Sequence, residues 1–153
     1  MHLRKTQWIK ILANSTSTYY LPAKYKNKNG ENSTEYSSVM RIEEAYFLMA
    51  EAHINKGNIN TGIELINQIR ERSGSSKINK NRSKEDAIDW LLEEKEKEFF
   101  SEFGHRFIDL KRNNRLNQLQ PIKTNWKSFY NVLPLPQKEL LLNPNLNPQN
   151  EGY

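Results

Sequence analysis

The sequence predicts a mainly α fold: a helical hairpin plus further helices, joined and flanked by long irregular loops. Three observations lead there. Apolar residues recur at helical spacing on both sides of Gly57-Asn58. Ser83 opens another periodic run with a capping signature. Residues 1–38 and 133–153 show no sustained period and are rich in turn formers or proline. The expected organisation is an extended or loop segment over 1–38 and a helical region over 39–153.

Within 1–38, Trp8-Ile9-Lys10-Ile11-Leu12 suits a short strand or an incomplete helix, and Tyr19-Tyr20-Leu21-Pro22 favours extended chain. Asn29-Gly30 is a turn signal that would close a hairpin if flanking strands pair there. From Met40 to Lys56 the apolar positions Ile42, Ala45, Tyr46, Met49, Ala52 and His53 mark the face of a helix that Gly57 stops. A second helix runs from Ile59 to Arg72, capped by Asn58, with Ile59, Ile63, Ile66 and Ile69 on one face and Gly74 at its end. Ala50 and Gly62 are small where the two helices would approach closely. The pair occupies roughly one tetratricopeptide period (~34 residues) and is similar to that repeat. Only one unit is present, and such units need stacked neighbours to bury their faces.

A third helix is expected from Lys84 to Phe103, with Ile88, Leu91, Leu92, Phe99 and Phe103 on one face and a Glu93–Lys97 pair on another. Gly104 breaks it, and a short helix from His105 to Asn113 follows. Four of the six prolines fall in Leu133–Tyr153, so this tail is expected to be neither helical nor a central strand. It should lie as an irregular strip.

Composition excludes several classes. The absence of cysteine removes disulfides, thiol nucleophiles and thiolate zinc sites from this stretch. No apolar run approaches the ~18 residues of a membrane span, and the first residues lack the apolar block of a signal peptide. Hydrophobic residues make up 36% and the mean hydropathy is −0.88, meagre for a self-contained globule of this length. The net charge of +5 is uneven: residues 110–138 hold six Lys/Arg and no acid. Such a rim attracts phosphates or acidic sugars, or is simply a solvated face.

The densest chemistry lies in Glu98-Phe99-Phe100-Ser101-Glu102-Phe103-Gly104-His105-Arg106-Phe107-Ile108-Asp109. Glu98 and Glu102 fall one helical turn apart and repel unless a cation sits between them, a role Arg106 or Arg112 can fill. An enzyme would use Glu98 and Glu102 as an acid/base pair, or His105 and Asp109 as metal ligands. An ion-pair knot that fixes the angle between two helices is the simpler reading. No nucleophile, phosphate loop or second histidine of a metal motif accompanies these residues, so no catalytic, metal or cofactor residue is assigned.

These pieces together carry a family resemblance. The hairpin Arg41–Gly74, the run Glu94–Arg112 with its Gly104-His105-Arg106, and Leu133-Pro134-Leu135-Pro136-Gln137 followed by Gln149-Asn150-Glu151-Gly152-Tyr153 occur in order. The chain resembles the C-terminal part of the SusD/RagB family of outer-membrane nutrient-binding lipoproteins of Bacteroidetes. The resemblance implies a non-catalytic, surface-exposed receptor that captures glycans, or in some members peptides. It also implies a TonB-dependent (SusC-like) transporter as partner. A lipid anchor would lie outside this sequence, upstream of Met1, with the chain a C-terminal portion of a longer protein. No cofactor is implied, and no ligand-binding residue transfers.

Sugar capture uses aromatic faces flanked by amides. Trp8, Tyr19, Tyr20, Trp126 and Tyr130 lie in loop-rich segments, and Asn125 and Asn131 supply amides nearby. Such rings more often pin loops to a body than face a ligand. Trp90 sits among helix-face positions and reads as packing. Two other readings are a tetratricopeptide-type scaffold for a peptide or protein partner and, ranked below it, a nucleic-acid-binding module. The latter lacks any helix-turn-helix, zinc-finger or RNA-binding signature.

Overall fold

The computed structural model describes residues 3–27, 35–36 and 38–153. The expected Asn29-Gly30 turn lies outside them. The described residues form two compact units, Met1–Arg106 and Phe107–Tyr153. The elements are α1 (Leu3–Trp8), β1 (Ile9–Ala13), β2 (Thr18–Pro22), α2 (Ile42–Asn55), α3 (Ile59–Arg72), α4 (Lys84–Glu98), α5 (His105–Arg112) and α6 (Gln137–Leu142). The fold is mainly helical, as expected.

In the first unit α2 and α3 form the hairpin, and α4 packs against both. The close approach relies on Gly62. A Cβ there would meet Ile54 Cγ1 at 2.5 Å and the Ala50 carbonyl at 2.8 Å. The core is Phe47, Ala50 and Ile54 from α2, Ile63, Ile66 and Ile69 from α3, and Ala87, Ile88, Leu91 and Leu92 from α4. Phe99 adds an edge-on contact to Phe47 at 5.7 Å. The loop after α3 is tied down rather than loose: the Asn67 amide donates to the Ile78 carbonyl at 3.0 Å and accepts from the Ile78 N–H at 2.7 Å. The Ser83 hydroxyl caps α4 by accepting from the Asp86 N–H at 3.0 Å.

Four local expectations are corrected. The buried face of α2 is Glu43, Phe47, Ala50, Glu51 and Ile54, whereas Ile42 is 68% and Met49 51% exposed. This helix is apolar on two sides, so periodicity finds a stripe without saying which one is covered. Asn58 caps α3 with its backbone alone; at φ −83°, ψ 58° it lies outside the extended region in which a side chain reaches N2 or N3. Helix α4 ends at Glu98, not Phe103, and Phe103 is exposed. The chain turns through Ser101 and Phe103, both at positive φ. Finally, residues 3–8 are helical rather than extended.

The strands β1 and β2 pair antiparallel from Ile9↔Pro22 to Ala13↔Thr18. The Asn14 side chain closes the turn by accepting from the Thr16 and Ser17 N–H groups. Nearly every residue of the ribbon is exposed.

In the second unit the tail is built on side-chain mimicry of a strand partner. Pro134 and Pro136 have no N–H, so Leu135 carries the lone backbone donor between them. The Gln149 amide accepts from the Leu135 N–H and donates to its carbonyl, each at 2.8 Å. The Asn150 amide donates to the Leu133 carbonyl at 2.8 Å, and the Tyr153 hydroxyl to that of Val132 at 2.9 Å. Gly152, at φ 93°, is required because a Cβ would sit 2.4 Å from the Phe129 ring. The expectation that the tail holds no helix is corrected by α6. Pro136 stands at its N-cap and Pro144 beyond its end, so the prolines bracket a helix-forming window instead of breaking it.

Gly62→Ala should destabilise the first unit by about 1–3 kcal/mol through overpacking. Urea denaturation checks this, and a change under about 0.5 kcal/mol would contradict the packing. Gln149→Met should speed hydrogen exchange of the Leu135 amide by about tenfold or more; an unchanged rate would show that the amide pairing does not hold the strip.

Candidate functional site

The first chemical cluster is a column of carboxylates. Glu94 and Glu98 lie one turn apart on the inner face of α4, and both are fully buried. Glu102 follows beyond the helix end and is also buried. An anion needs partners there, and among the described residues five cations supply them. Glu94 pairs with Arg4 from α1 and, at 2.6 Å, with Arg70 from α3. Glu98 pairs with Arg4 at 2.7 Å, Arg41 at 2.9 Å and Arg72 at 2.8 Å. Glu102 pairs with Arg41 at 2.8 Å and Lys24 at 2.9 Å.

The column also ends the helix. The Glu98 carbonyl, one of the last in α4, accepts from Lys24 Nζ at 2.6 Å and Arg41 Nη2 at 3.0 Å. Burial lowers the Lys24 pKa below its ordinary value, against the opposing pull of its bond to Glu102. Burial also raises that of the Tyr25 hydroxyl, which donates to Glu102 at 3.1 Å.

This geometry is the ion-pair knot, with different cations from those expected. Arg106 instead reaches Glu96 at 3.2 Å and the Leu92 carbonyl, and Arg112 pairs with Asp109 at 3.2 Å. The early end of α4 is what removes Glu102 from the helix line and lets Arg41 bridge both carboxylates. His105 stacks on Phe99 with ring centroids 4.4 Å apart. No group of three or more His, Cys, Asp or Glu among the described residues is placed to hold a metal ion.

The loop aromatics fall into three settings. Trp8 stacks beneath Lys24 Nζ at 4.1 Å from its ring centre. It also lines an apolar-walled cavity of about 320 Å³ with Arg4, Ile9, Glu96 and Phe100. Tyr19 and Tyr20 are 55% and 62% exposed on β2, as successive strand residues on opposite faces. Trp126 and Tyr130 belong to an edge-packed cluster of the second unit: Trp126 to Tyr130 at 5.7 Å, Phe129 to Tyr130 at 4.8 Å and Phe129 to Tyr153 at 5.2 Å. Trp90, read as packing, is half-buried beneath Arg70 at 5.4 Å from its ring centre.

The second unit holds two adjoining cavities. One, of about 320 Å³, is lined by Lys111, Asn114, Leu116, Asn117 and Asn131. The other, of about 440 Å³, takes in Asn117, Gln120, Trp126, Lys127, Phe129 and Asn131. Trp126 and Asn131 are thus brought together, while Asn125 is an exposed residue outside both linings. Asn114, Asn117 and Gln120 were not singled out from sequence. Their signal is the amide-rich run Asn113-Asn114-Arg115-Leu116-Asn117-Gln118-Leu119-Gln120, which folds into turns that aim several amides at one place.

With this geometry in hand, the comparisons are specific. The SusD family model matches residues 3–153. SusD-like protein P2 of Formosa agariphila is 32% identical over 150 residues, covering 88% of this chain and 29% of its own length. A SusD superfamily protein of Bacteroides vulgatus, solved as a crystal structure, is similar over 74% of this chain and 27% of its own, at 34% identity and TM-score 0.60. Surface glycan-binding protein A of Bacteroides thetaiotaomicron shares the fold over 92% of this chain and 32% of its own, at 24% identity and TM-score 0.65. The chain therefore spans less than a third of the length of each.

Glu98→Ala should cost about 3–5 kcal/mol, because Arg4, Arg41 and Arg72 lose a shared buried counter-ion. Glu93→Ala, which removes an exposed i,i+4 pair with Lys97, should cost only a few tenths of a kcal/mol. Equal losses in the two variants, measured by urea denaturation, would contradict the role given to the column.

Proposed function

The chain belongs to the SusD family, and we propose on that premise that it is part of a non-catalytic cell-surface receptor that binds glycan nutrients. The receptor works with a TonB-dependent outer-membrane transporter and is held at the membrane by a lipid anchor outside this sequence. The present chain spans less than a third of the length of the relatives it matches. One observation carries the reading: the family model runs from residue 3 to residue 153, across both compact units. Surface glycan binding by the Bacteroides thetaiotaomicron protein of the same fold is consistent with it.

The chemistry agrees with a binding role. The carboxylates that an enzyme reading requires are engaged by cations, Glu98 by Arg4, Arg41 and Arg72 and Glu102 by Arg41 and Lys24. The cavities of the second unit instead combine amides with an aromatic wall, the pairing suited to hydroxyls and apolar sugar faces. A tetratricopeptide-type scaffold for a protein partner remains the second reading. It is favoured by the open face of α2 at Ile42, Leu48 and Met49.

Titration of the chain with a panel of oligosaccharides and apolar peptides, followed by calorimetry, separates the two. Saturable heat with at least one saccharide class is expected. Heat with peptides alone would replace the glycan reading by the scaffold one.

A further inference from the structure

The charge pattern of the second unit is not explained by glycan binding in general. Between residues 110 and 138 six Lys/Arg face no Asp or Glu in the same stretch. Two of the six, Lys111 and Lys127, each line one of the adjoining cavities, and among the described residues no carboxylate lines either one. Both lysines are exposed, and Lys127 Nζ lies 5.5 Å from the centre of the Phe129 ring, which lines the same cavity. The cavities meet at Asn117 and Asn131, which line both.

We propose that these two cavities form one subsite for an acidic oligosaccharide, a sugar chain carrying carboxylate or sulfate groups. This rests on the glycan reading above and adds a ligand class and residues to it. Asn114, Asn117 and Asn131 each present a donor and an acceptor, the pair that adjacent sugar hydroxyls require. Trp126 offers a half-buried ring against an apolar sugar face. Lys111 and Lys127 take the anionic substituents, forming charge-assisted bonds that a neutral sugar cannot supply. At about 320 and 440 Å³, each cavity falls within the ~300–1,000 Å³ range of small-molecule sites.

The frame is pre-formed by backbone bonds. Arg115 N–H donates to the Leu110 carbonyl at 2.7 Å, Gln120 to Asn117 at 3.1 Å, and Lys123 to Leu119 at 2.7 Å. Ordering these turns on binding is therefore unnecessary. A nucleic-acid strand fits less well, because it wants a row of open stacking rings. Here Phe129 is already packed edge-on against Tyr130 and Tyr153.

The test is calorimetric titration of the chain with an oligogalacturonate, a sulfated galacto-oligosaccharide, a neutral malto-oligosaccharide and a short single-stranded oligonucleotide. Two variants accompany it: Lys111→Gln/Lys127→Gln at the cavities and Lys56→Gln/Lys84→Gln as a charge-matched control on the first unit. The subsite predicts binding of an acidic saccharide that weakens about tenfold or more in the first variant and by no more than about twofold in the second. Equal weakening in both variants would overturn the subsite in favour of diffuse attraction. Binding of the neutral saccharide with no preference for acidic ones would overturn it while leaving the glycan reading intact. No saccharide binding would overturn both, and tighter binding of the oligonucleotide than of any sugar would overturn the subsite.

Discussion

Burial of three carboxylates on and just beyond α4 is the constraint from which the first unit follows. Glu94, Glu98 and Glu102 occupy positions where an unpaired charge would cost several kcal/mol, so the chain must bring cations to them. It does so from four places: Arg4 on α1, Lys24 just after β2, Arg41 before α2, and Arg70 and Arg72 at the end of α3. Each partner fixes the segment that carries it. Arg4 and Lys24 tie the amino-terminal helix and ribbon to α4 and the turn after it, and the Leu3 N–H adds a bond to the Ser73 carbonyl at 3.3 Å. Such a cluster adds little net stability compared with an apolar core, because desolvation offsets most of the attraction. What removing one partner costs is larger, because it leaves a buried charge short of its counter-ion.

The second unit solves a related problem with neutral groups. Its turns pair many backbone groups, but the strip around Leu133–Leu135 is met by side chains, and prolines remove donors there outright. Amide side chains take their place: Gln149 stands in for a neighbouring strand and Asn150 for another turn. An edge-packed set of rings from Trp126 to Tyr153 supplies the apolar contact. The same preference for amides and rings is what gives the adjoining cavities their character.

What was legible in the sequence was local. The α3 face, the serine cap of α4 and the small residue at Gly62 depend on spacing within a few residues, and each stands as read. The tail motif was visible as a pattern, though the roles of Gln149, Asn150 and Gly152 emerge only from their partners. Glu98 and Glu102 read as an ion-pair knot, but neither Glu94 nor the cations of the column were legible. Arg41 lies 57 residues from Glu98 and Arg4 lies 90 from Glu94, and no sequence period connects them. The covered side of α2 was missed for another reason, since both sides are apolar and only the tertiary partner decides. At the cavities Trp126 and Asn131 were legible as a ring and an amide in a loop, whereas Asn114 and Asn117 were hidden in a polar run.

The central claim is that the column acts as a coupled unit and not as a set of independent surface pairs. A double-mutant cycle on Arg41→Ala and Glu98→Ala, read by urea denaturation, tests it most directly. The account predicts a coupling energy of at least about 1.5 kcal/mol, because the two charges meet at 2.9 Å in a largely buried cluster. A coupling below about 0.5 kcal/mol, the range of additive and exposed pairs, would contradict it.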